Sequence, residues 1–478
     1  MPGEASEVLI DLFGAAPQRD DLIVSGGLRV SSTQIVDQAL AIAAAFNARG
    51  VGHGDLVAFQ MPTGIDAIAL YRACWRVGAV AVPVHPRAGA AQIADLIDQS
   101  HPSLLVSHTG SALADEPGTL DIADLSGGEA PEVDGRDSDD ALVMFTSGAT
   151  GRPKGAVHTH ASLVVKTRQI AEVHGLTSQD CVLMPAPLAH VSGLLHGVLV
   201  PAALGAKAVL MERWNPTVAL QSIEREQVTW MVGPPTFFID LMDDPAFDPE
   251  RVASLRLISC GGAGVTPAFA QRAGQELGAV VKRTYGSTEA PSITTSRFDD
   301  PAEQMIHTDG RAFGDTRIRV DDHGELWVSG PEICRGYLDP TDTVRAFEGG
   351  WFRTGDLGVI DDGWLTITGR LGDQIIRGGE NISAIDIENH LEAHPAVSAA
   401  AVLGEPHDRL GERVAAFVVA DEAFDLDACR QWFKSRGTTS FACPERLEHV
   451  SEMPVLASGK IDRAALARWL TISGDELG

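Results

Sequence analysis

The ten residues Thr146-Ser-Gly-Ala-Thr-Gly-Arg-Pro-Lys-Gly155 follow the apolar run Ala141-Leu-Val-Met-Phe145 and bring together hydroxyls, three glycines and a lysine. Backbone N–H groups, hydroxyls and an ammonium are what phosphate oxygens require, so the stretch reads as a strand opening into a phosphate-binding loop. A Walker loop is excluded by spacing. It needs Gly, four residues, then Gly-Lys and a Ser or Thr, whereas Pro153 stands five after Gly148 and Gly155 follows Lys154.

Further along, Tyr285-Gly-Ser-Thr-Glu289 offers a ring to stack on a base, the Thr288 hydroxyl for a phosphate, and in Glu289 the hard oxygen that Mg²⁺ seeks beside phosphates. Ser259-Cys-Gly-Gly-Ala-Gly264 supplies glycines that let a flat ligand approach the backbone. In Trp351-Phe-Arg-Thr-Gly-Asp356 and Gly369-Arg370, Asp356 can accept from both ribose hydroxyls and Arg370 can donate to the same ribose. Pro454-Val-Leu-Ala-Ser-Gly-Lys460-Ile-Asp-Arg463 places a lysine beside glycine near the C-terminus. Only six lysines exist, and Lys154 and Lys460 are the two in such settings.

In this order and at these separations, the segments resemble the signatures of the adenylate-forming superfamily: acyl-CoA synthetases, peptide-synthetase adenylation domains and luciferases. The forms Arg377-Gly-Gly-Glu-Asn-Ile-Ser383 and Thr288-Glu-Ala-Pro291, with the length, are most similar to bacterial cyclohexanecarboxylate-type and medium-chain acyl-CoA ligases. The resemblance implies a nucleotide site of Thr146, Ser147, Gly148, Thr150, Gly151, Lys154, Gly262, Ala263, Tyr285, Gly286, Thr288, Asp356 and Arg370. Catalysis falls to Lys460, Thr288 and Glu289, with Glu289 as the metal ligand. His190, Gly193, Gly233, Phe237, Gly261 and Ala290 would line an acyl pocket, and the small Ala189, Gly193 and Ala290 suggest room for a bulky acid; core packing is the competing reading of His190 and Phe237. Gly372 would be a hinge, and Gly378 and Gly379 would form the CoA-side loop. The pattern is departed from at Gly372, where Asp or Lys is usual, and at Ala149, where Ser or Thr is commoner.

The implied reaction is ATP- and Mg²⁺-dependent conversion of a carboxylic acid to an acyl-adenylate, then transfer to coenzyme A. The alternatives are transfer to the phosphopantetheine of an acyl carrier protein and a non-catalytic nucleotide or acyl-adenylate binder. Attack of a carboxylate on a phosphate opposes two anions, whose repulsion at about 4 Å is about 4 kcal/mol at an effective dielectric of 20. A point cation between them, the implied place of Lys460, relieves much of it.

These groups must be held by a substantial scaffold. In 478 residues with 44% hydrophobic content, one large and one smaller unit are expected. Ser32 can cap an amphipathic helix over 32–50, with Ile35, Ala39, Ile42 and Phe46 on one face. Strands at 55–61 and 79–84 alternate with helices at 64–77 and 90–99, and the alternation resumes beyond a helix at 161–175. That rhythm predicts parallel βαβ units. From about 310, short strands and turns suggest an antiparallel, barrel-like piece; beyond Gly369-Arg370, a capping box at Ser383 and Asp386 opens a compact α+β unit. The expectation is therefore an α/β with α+β protein, divided into a large domain at 1–371 and a small mobile one at 372–478.

A formal net charge of −28 argues against nucleic-acid or anionic-membrane partners. Residues 191–211 are apolar over about a bilayer's thickness, yet they contain Ser192, His196, Pro201 and Lys207, so a buried helix followed by a strand is expected. Six scattered cysteines without a C-x-x-C pair, and a start lacking a basic and apolar leader, point to reduced thiols in the cytoplasm. Oligomerisation is left open.

Overall fold

The structure, a computed structural model, describes residues 7–125, 127–129, 131–132, 135–146, 153–262, 264–371, 374–377, 380–407, 409–421, 423–436, 443–456 and 460–472. Four sheets organise them. The first runs in parallel through Leu120–Asp121, Leu104–Ser107, Leu56–Gln60, Val80–Val84 and Asp140–Thr146, and continues in the antiparallel Lys154–Thr159 and Gly336–Tyr337. The second has parallel strands Val280–Tyr285, Leu257–Gly261, Trp230–Gly233, Cys181–Met184, Lys207–Leu210 and Ile23–Ser25, with short antiparallel strands at both edges. The third is antiparallel and built on the long strand Trp351–Asp361. The fourth is largely antiparallel, lies between Ile375 and His449, and has its own apolar core.

The expected helices form with shifted ends, and two differences are physical. Ser31, not Ser32, caps Ser32–Asn47: its side chain accepts from Gln34 N–H while Gln34 bonds back to the Ser31 N–H, and Ser32 is buried. The phosphate-loop residues join two antiparallel strands, with Thr146 opposite Lys154, instead of leading into a helix. Lys154–Thr159 is a strand the sequence reading left out. Its inner residues Gly155, Ala156, Val157 and His158 are all buried, so the period-two alternation that marks a half-exposed strand is missing. Residues 191–204 are helical with one wide turn at Leu195–Leu199, and the strand Lys207–Leu210 follows. Among the described residues no helix is long and apolar enough to cross a membrane.

The helix Ile65–Arg76 ties the first sheet to the later site. Trp75 is fully buried, donates from its indole to Ala141 O at 2.8 Å and stacks on Tyr71 at 5.4 Å. The Tyr71 hydroxyl in turn donates to Leu188 O at 2.8 Å, holding the segment that ends in His190. Trp75→Ala is expected to lower the stability of the unit by about 3–5 kcal/mol through cavity formation. Denaturant unfolding measures it, and a loss below about 1 kcal/mol would show that the site collapses and that this packing is dispensable.

Candidate active site

The strand Val280–Tyr285 delivers Tyr285-Gly-Ser-Thr-Glu289 at the carboxyl end of the parallel sheet, the edge where ligands bind in such sheets. The turn is tight. A Cβ on Gly286 would lie 2.3 Å from Ser292 N, while Ser287 N–H donates to Ala290 O and Ile293 N–H to Tyr285 O. His158 donates from Nε2 to Thr288 O at 2.8 Å; burial lowers its pKa to about 4, so it is a neutral donor. The Glu289 carbonyl accepts from Cys334 N–H, and its Oε1 accepts from the Tyr337 hydroxyl at 2.7 Å. Burial and the Glu289 charge push the Tyr337 phenol up, so it stays protonated and donates.

Lys154 joins the same group from the neighbouring strand. Its ammonium pairs with Asp342 at 3.0 Å and lies 5.4 Å from the Tyr337 ring centroid. The lysine expected at a phosphate is thus paired with a carboxylate in this structure. Tyr337 and Asp342 carry no motif, and sequence reading missed them. Thr146 directs its hydroxyl to Lys154 O at 3.5 Å. Ser147, Gly148, Thr150, Gly151, Ala263, Gly372, Gly378 and Gly379 lie outside the described residues.

Asp356 and Arg370 face each other across adjacent strands, with Arg370 Nε 3.4 Å from Asp356 Oδ1. Tyr285 closes the corner by donating its hydroxyl to Asp356 Oδ2 at 2.5 Å. Burial and the Asp356 charge raise the Tyr285 pKa well above the ordinary phenol value. The ring is thereby locked at its outer end, and both Asp356 oxygens are already oriented.

Lys460 reaches this corner from the far end of the chain. It is presented by a short antiparallel turn in which Leu456 N–H donates to Lys460 O at 2.7 Å and Val455 pairs with Ile461. A Cβ on Gly262 would lie 3.4 Å from Lys460 Cε and 4.0 Å from Nζ, ordinary contact distances that place the lysine against this backbone, while its φ of +78° favours glycine there. The lysine has an exposed surface, yet its ammonium end is crowded: burial is the first cause of its lowered pKa, followed by the Arg370 charge, while Asp356 and Glu289 oppose the shift. Residues brought from 262, 289, 356, 370 and 460 thus meet in one place.

The docking of Lys460 has a second contact. Thr266 caps the helix Pro267–Leu277 by accepting from Phe269 N–H at 3.2 Å, and its hydroxyl also bonds Glu392 of the helix Ala384–Glu392. Glu392 Oε1 additionally accepts from Ala400 N–H at 3.1 Å. Burial, aided by nearby Glu388, raises its pKa to about 7.

On the acyl side, His190 packs against His85 with ring centroids 5.2 Å apart and planes at 60°. Burial first, then the His85 and Lys460 charges, lower the His190 pKa to about 4. His85 Nδ1 accepts from Arg87 N–H at 3.0 Å. Two of the small residues expected at the pocket have tight surroundings. Gly193 is small because a Cβ would sit 2.0 Å from Pro187 O, and Ala290 is fully buried in the core beneath the third sheet with Ile293 and Leu326. Gly233 receives the Phe237 ring, 2.7 Å from where a Cβ would be, and Phe237 stacks on Trp214 at 4.6 Å within a core cluster. Gly261 allows close approach to Thr284 O, 2.0 Å from a Cβ position.

No group of three or more His, Cys, Asp and Glu that could hold a metal occurs among the described residues. Mg²⁺ at phosphates needs only one or two carboxylates. Glu289 fits that need: Oε1 is fixed by Tyr337, and Oε2 has no hydrogen-bond partner among the described residues.

Residues 14–338 match the family model of AMP-binding enzymes, and residues 386–460 match that of the AMP-binding enzyme C-terminal domain. The chain is 30% identical over 499 residues to the medium-chain fatty-acid–CoA ligase of Escherichia coli, covering 95% of this chain and 88% of that one. Its fold is similar to ATP-bound MatB from Rhodopseudomonas palustris, with TM-score 0.88, 27% identity and coverage of 96% and 98%. It is also similar to o-succinylbenzoate CoA synthetase from Bacillus subtilis in complex with its acyl-adenylate intermediate, with TM-score 0.85, 25% identity and coverage of 97% and 98%.

The Glu392 contact predicts a pH dependence. Burial raises this carboxyl's pKa while its bond with the Thr266 hydroxyl lowers it, so if undocking re-exposes the carboxyl to water, docking is weakest above about pH 7 and strengthens as pH falls from there toward the ordinary glutamate range. Energy transfer between labels on residues of the second and fourth sheets is expected to rise on going from about pH 8 to about pH 6. The response should flatten in Glu392→Gln; an undiminished response there would remove Glu392 from this role.

Proposed function

The chain belongs to the AMP-binding enzyme family, and on that premise we propose that it is an ATP-dependent acid–CoA ligase. A carboxylate oxygen attacks the α-phosphorus of ATP, the bond to the β-phosphate oxygen breaks, and acyl-AMP and pyrophosphate result. The CoA thiolate then attacks the acyl carbon and AMP leaves. The observation that carries this reading is the meeting of Lys460 with Gly262, Glu289, Asp356 and Arg370.

Each residue then has a part. Lys460 lies between the two anions and offsets their repulsion as the new bond forms. Asp356, aligned by Tyr285 and Arg370, accepts from the ribose hydroxyls, and the locked Tyr285 ring offers a wall for adenine. Because His158 occupies the Thr288 carbonyl, its hydroxyl is positioned for the α-phosphate. When bound at Glu289, Mg²⁺ supplies charge neutralisation at the departing pyrophosphate. His190 and His85, both with lowered pKa, add no competing cation beside Lys460 on the acyl side. This division of labour relies on positioning and charge, and needs no covalent nucleophile from the chain.

A division into units at 1–371 and 372–478 is part of the proposal, supported by a fourth sheet and core confined to the C-terminal part. A cytoplasmic setting is likewise proposed, supported by six free cysteines, five of them buried.

Lys460→Ala is expected to reduce acid-dependent pyrophosphate release by about 10²-fold or more, while CoA thioester formation from supplied acyl-adenylate continues. Equal loss in both half-reactions would contradict the assignment. Glu289→Gln is expected to shift the Mg²⁺ titration of pyrophosphate release to higher concentration, and an unmoved titration would exclude Glu289 as ligand.

A further inference from the structure

Lys166 is one of only six lysines in the chain, stands inside the helix His160–Val173 and is fully buried. An ammonium taken out of water needs an opposite charge, hydrogen bonds or an aromatic face to compensate it. Lys166 has all three. Its Nζ lies 3.9 Å from Glu332 Oε1, donates to Ser292 O at 3.0 Å and sits 4.5 Å from the centroid of the Phe313 ring. Burial lowers its pKa to about 8, with the Glu332 charge opposing the shift, so the cation prevails at neutral pH.

Both oxygens near this ammonium belong to segments that hold Glu289. Ser292 follows Glu289 by three residues in the tight turn after Tyr285, and its φ of +46° is one that a residue other than glycine rarely adopts. Glu332 precedes by two residues Cys334, whose N–H donates to Glu289 O at 2.8 Å. A closed ring results: from Glu289 along the chain to Ser292, through the Lys166 ammonium to Glu332, along the chain to Cys334, and back to the Glu289 carbonyl. Glu332 is buried as well, with Oε1 accepting from Thr316 and Oε2 unpartnered among the described residues. Among those residues, Lys166 is the cation paired with it.

We propose that Lys166 is a positioning residue: by tying Ser292 to Glu332 it fixes the backbone on both sides of Glu289 and so holds that carboxylate in place for Mg²⁺. The Tyr337 hydroxyl bonds Oε1 and sets the direction of the Glu289 side chain. Where the side chain starts is set by the main chain, and that is what the ring through Lys166 holds. Groups that orient a metal ligand without touching the metal act on its affinity in this way. The inference rests on the ligase reading only through Glu289 as the metal ligand.

Calorimetric binding of ATP with and without Mg²⁺, and of AMP, to the full chain tests this, and neither requires the acid to be known. Lys166→Met is expected to weaken binding of Mg²⁺–ATP by about 10-fold. Affinity for AMP, which has no pyrophosphate for the metal to neutralise, is expected to stay near the native value. Because the single substitution strands the Glu332 charge in the interior, a second variant, Lys166→Met with Glu332→Gln, covers a failure to fold. Removing both charges is expected to restore the thermal midpoint but not the Mg²⁺–ATP affinity. Recovery of that affinity along with the midpoint would make Lys166 a part of the packing alone and overturn the proposal. Native Mg²⁺–ATP affinity in Lys166→Met, or an equal loss for AMP, would overturn it too. A native chain that gains nothing from Mg²⁺ in binding ATP would instead remove Glu289 as the ligand, and the proposal with it.

Discussion

The arrangement depends on holding one ammonium close to glycine backbone in a molecule of strongly negative charge. Lys460 lies against Gly262, and charges of both signs act on its ammonium: Arg370 opposes it, while Asp356 and Glu289 favour it. The positive φ at Gly262 would strain any side chain placed there. The parallel sheet that ends in Gly261, the antiparallel sheet that pairs Asp356 with Arg370, and the C-terminal turn that presents Lys460 all serve that one separation.

Around it, the acidic groups are oriented before any substrate arrives. Glu289 is fixed by Tyr337, Asp356 by Tyr285 and Arg370, and Lys154 by Asp342. The donors to the two carboxylates are phenols whose pKa is raised by burial and by the carboxylates they serve, so the bonds persist across the physiological range. Preorganisation of this kind places dipoles where charge develops and leaves little to reorganise during reaction.

Much of this was legible in the sequence because the motifs use rare combinations: a glycine-flanked lysine in a chain with six lysines, and Tyr285 to Glu289 following the apolar-to-polar run Ala279 to Thr284. What stayed hidden was non-local or ambiguous. Tyr337 and Asp342 act through Lys154 and Glu289, partners far away along the chain, and neither sits in a recognisable pattern. Smallness is ambiguous at Gly193 and Ala290, because a small residue marks an open pocket or a tight contact, and the tight packing at both positions is visible only in coordinates. The strand Lys154–Thr159 escaped for a related reason: it is buried along nearly its whole length, so its pattern lacks alternation.

The contacts around the segment that carries Lys460 include carboxylates placed where burial opposes their charge. Glu392 is held at the Thr266 cap with its pKa raised by burial, a sign that its charged form is uncomfortable there. Burial raises the pKa of Asp240, and the charges of Asp243 and of Glu452, from the C-terminal part, add to the rise. A surface selected only for stability would replace such pairs with apolar contact or opposite charges. On the proposed reading, two half-reactions at one carboxyl group, the first joining its oxygen to phosphorus and the second its carbon to sulfur, call for a docking strong enough to place an ammonium and weak enough to release it. An interface carrying its own electrostatic opposition meets both demands, since the population of the docked state then responds to free-energy changes of a few kcal/mol, the scale on which ligands shift conformational equilibria.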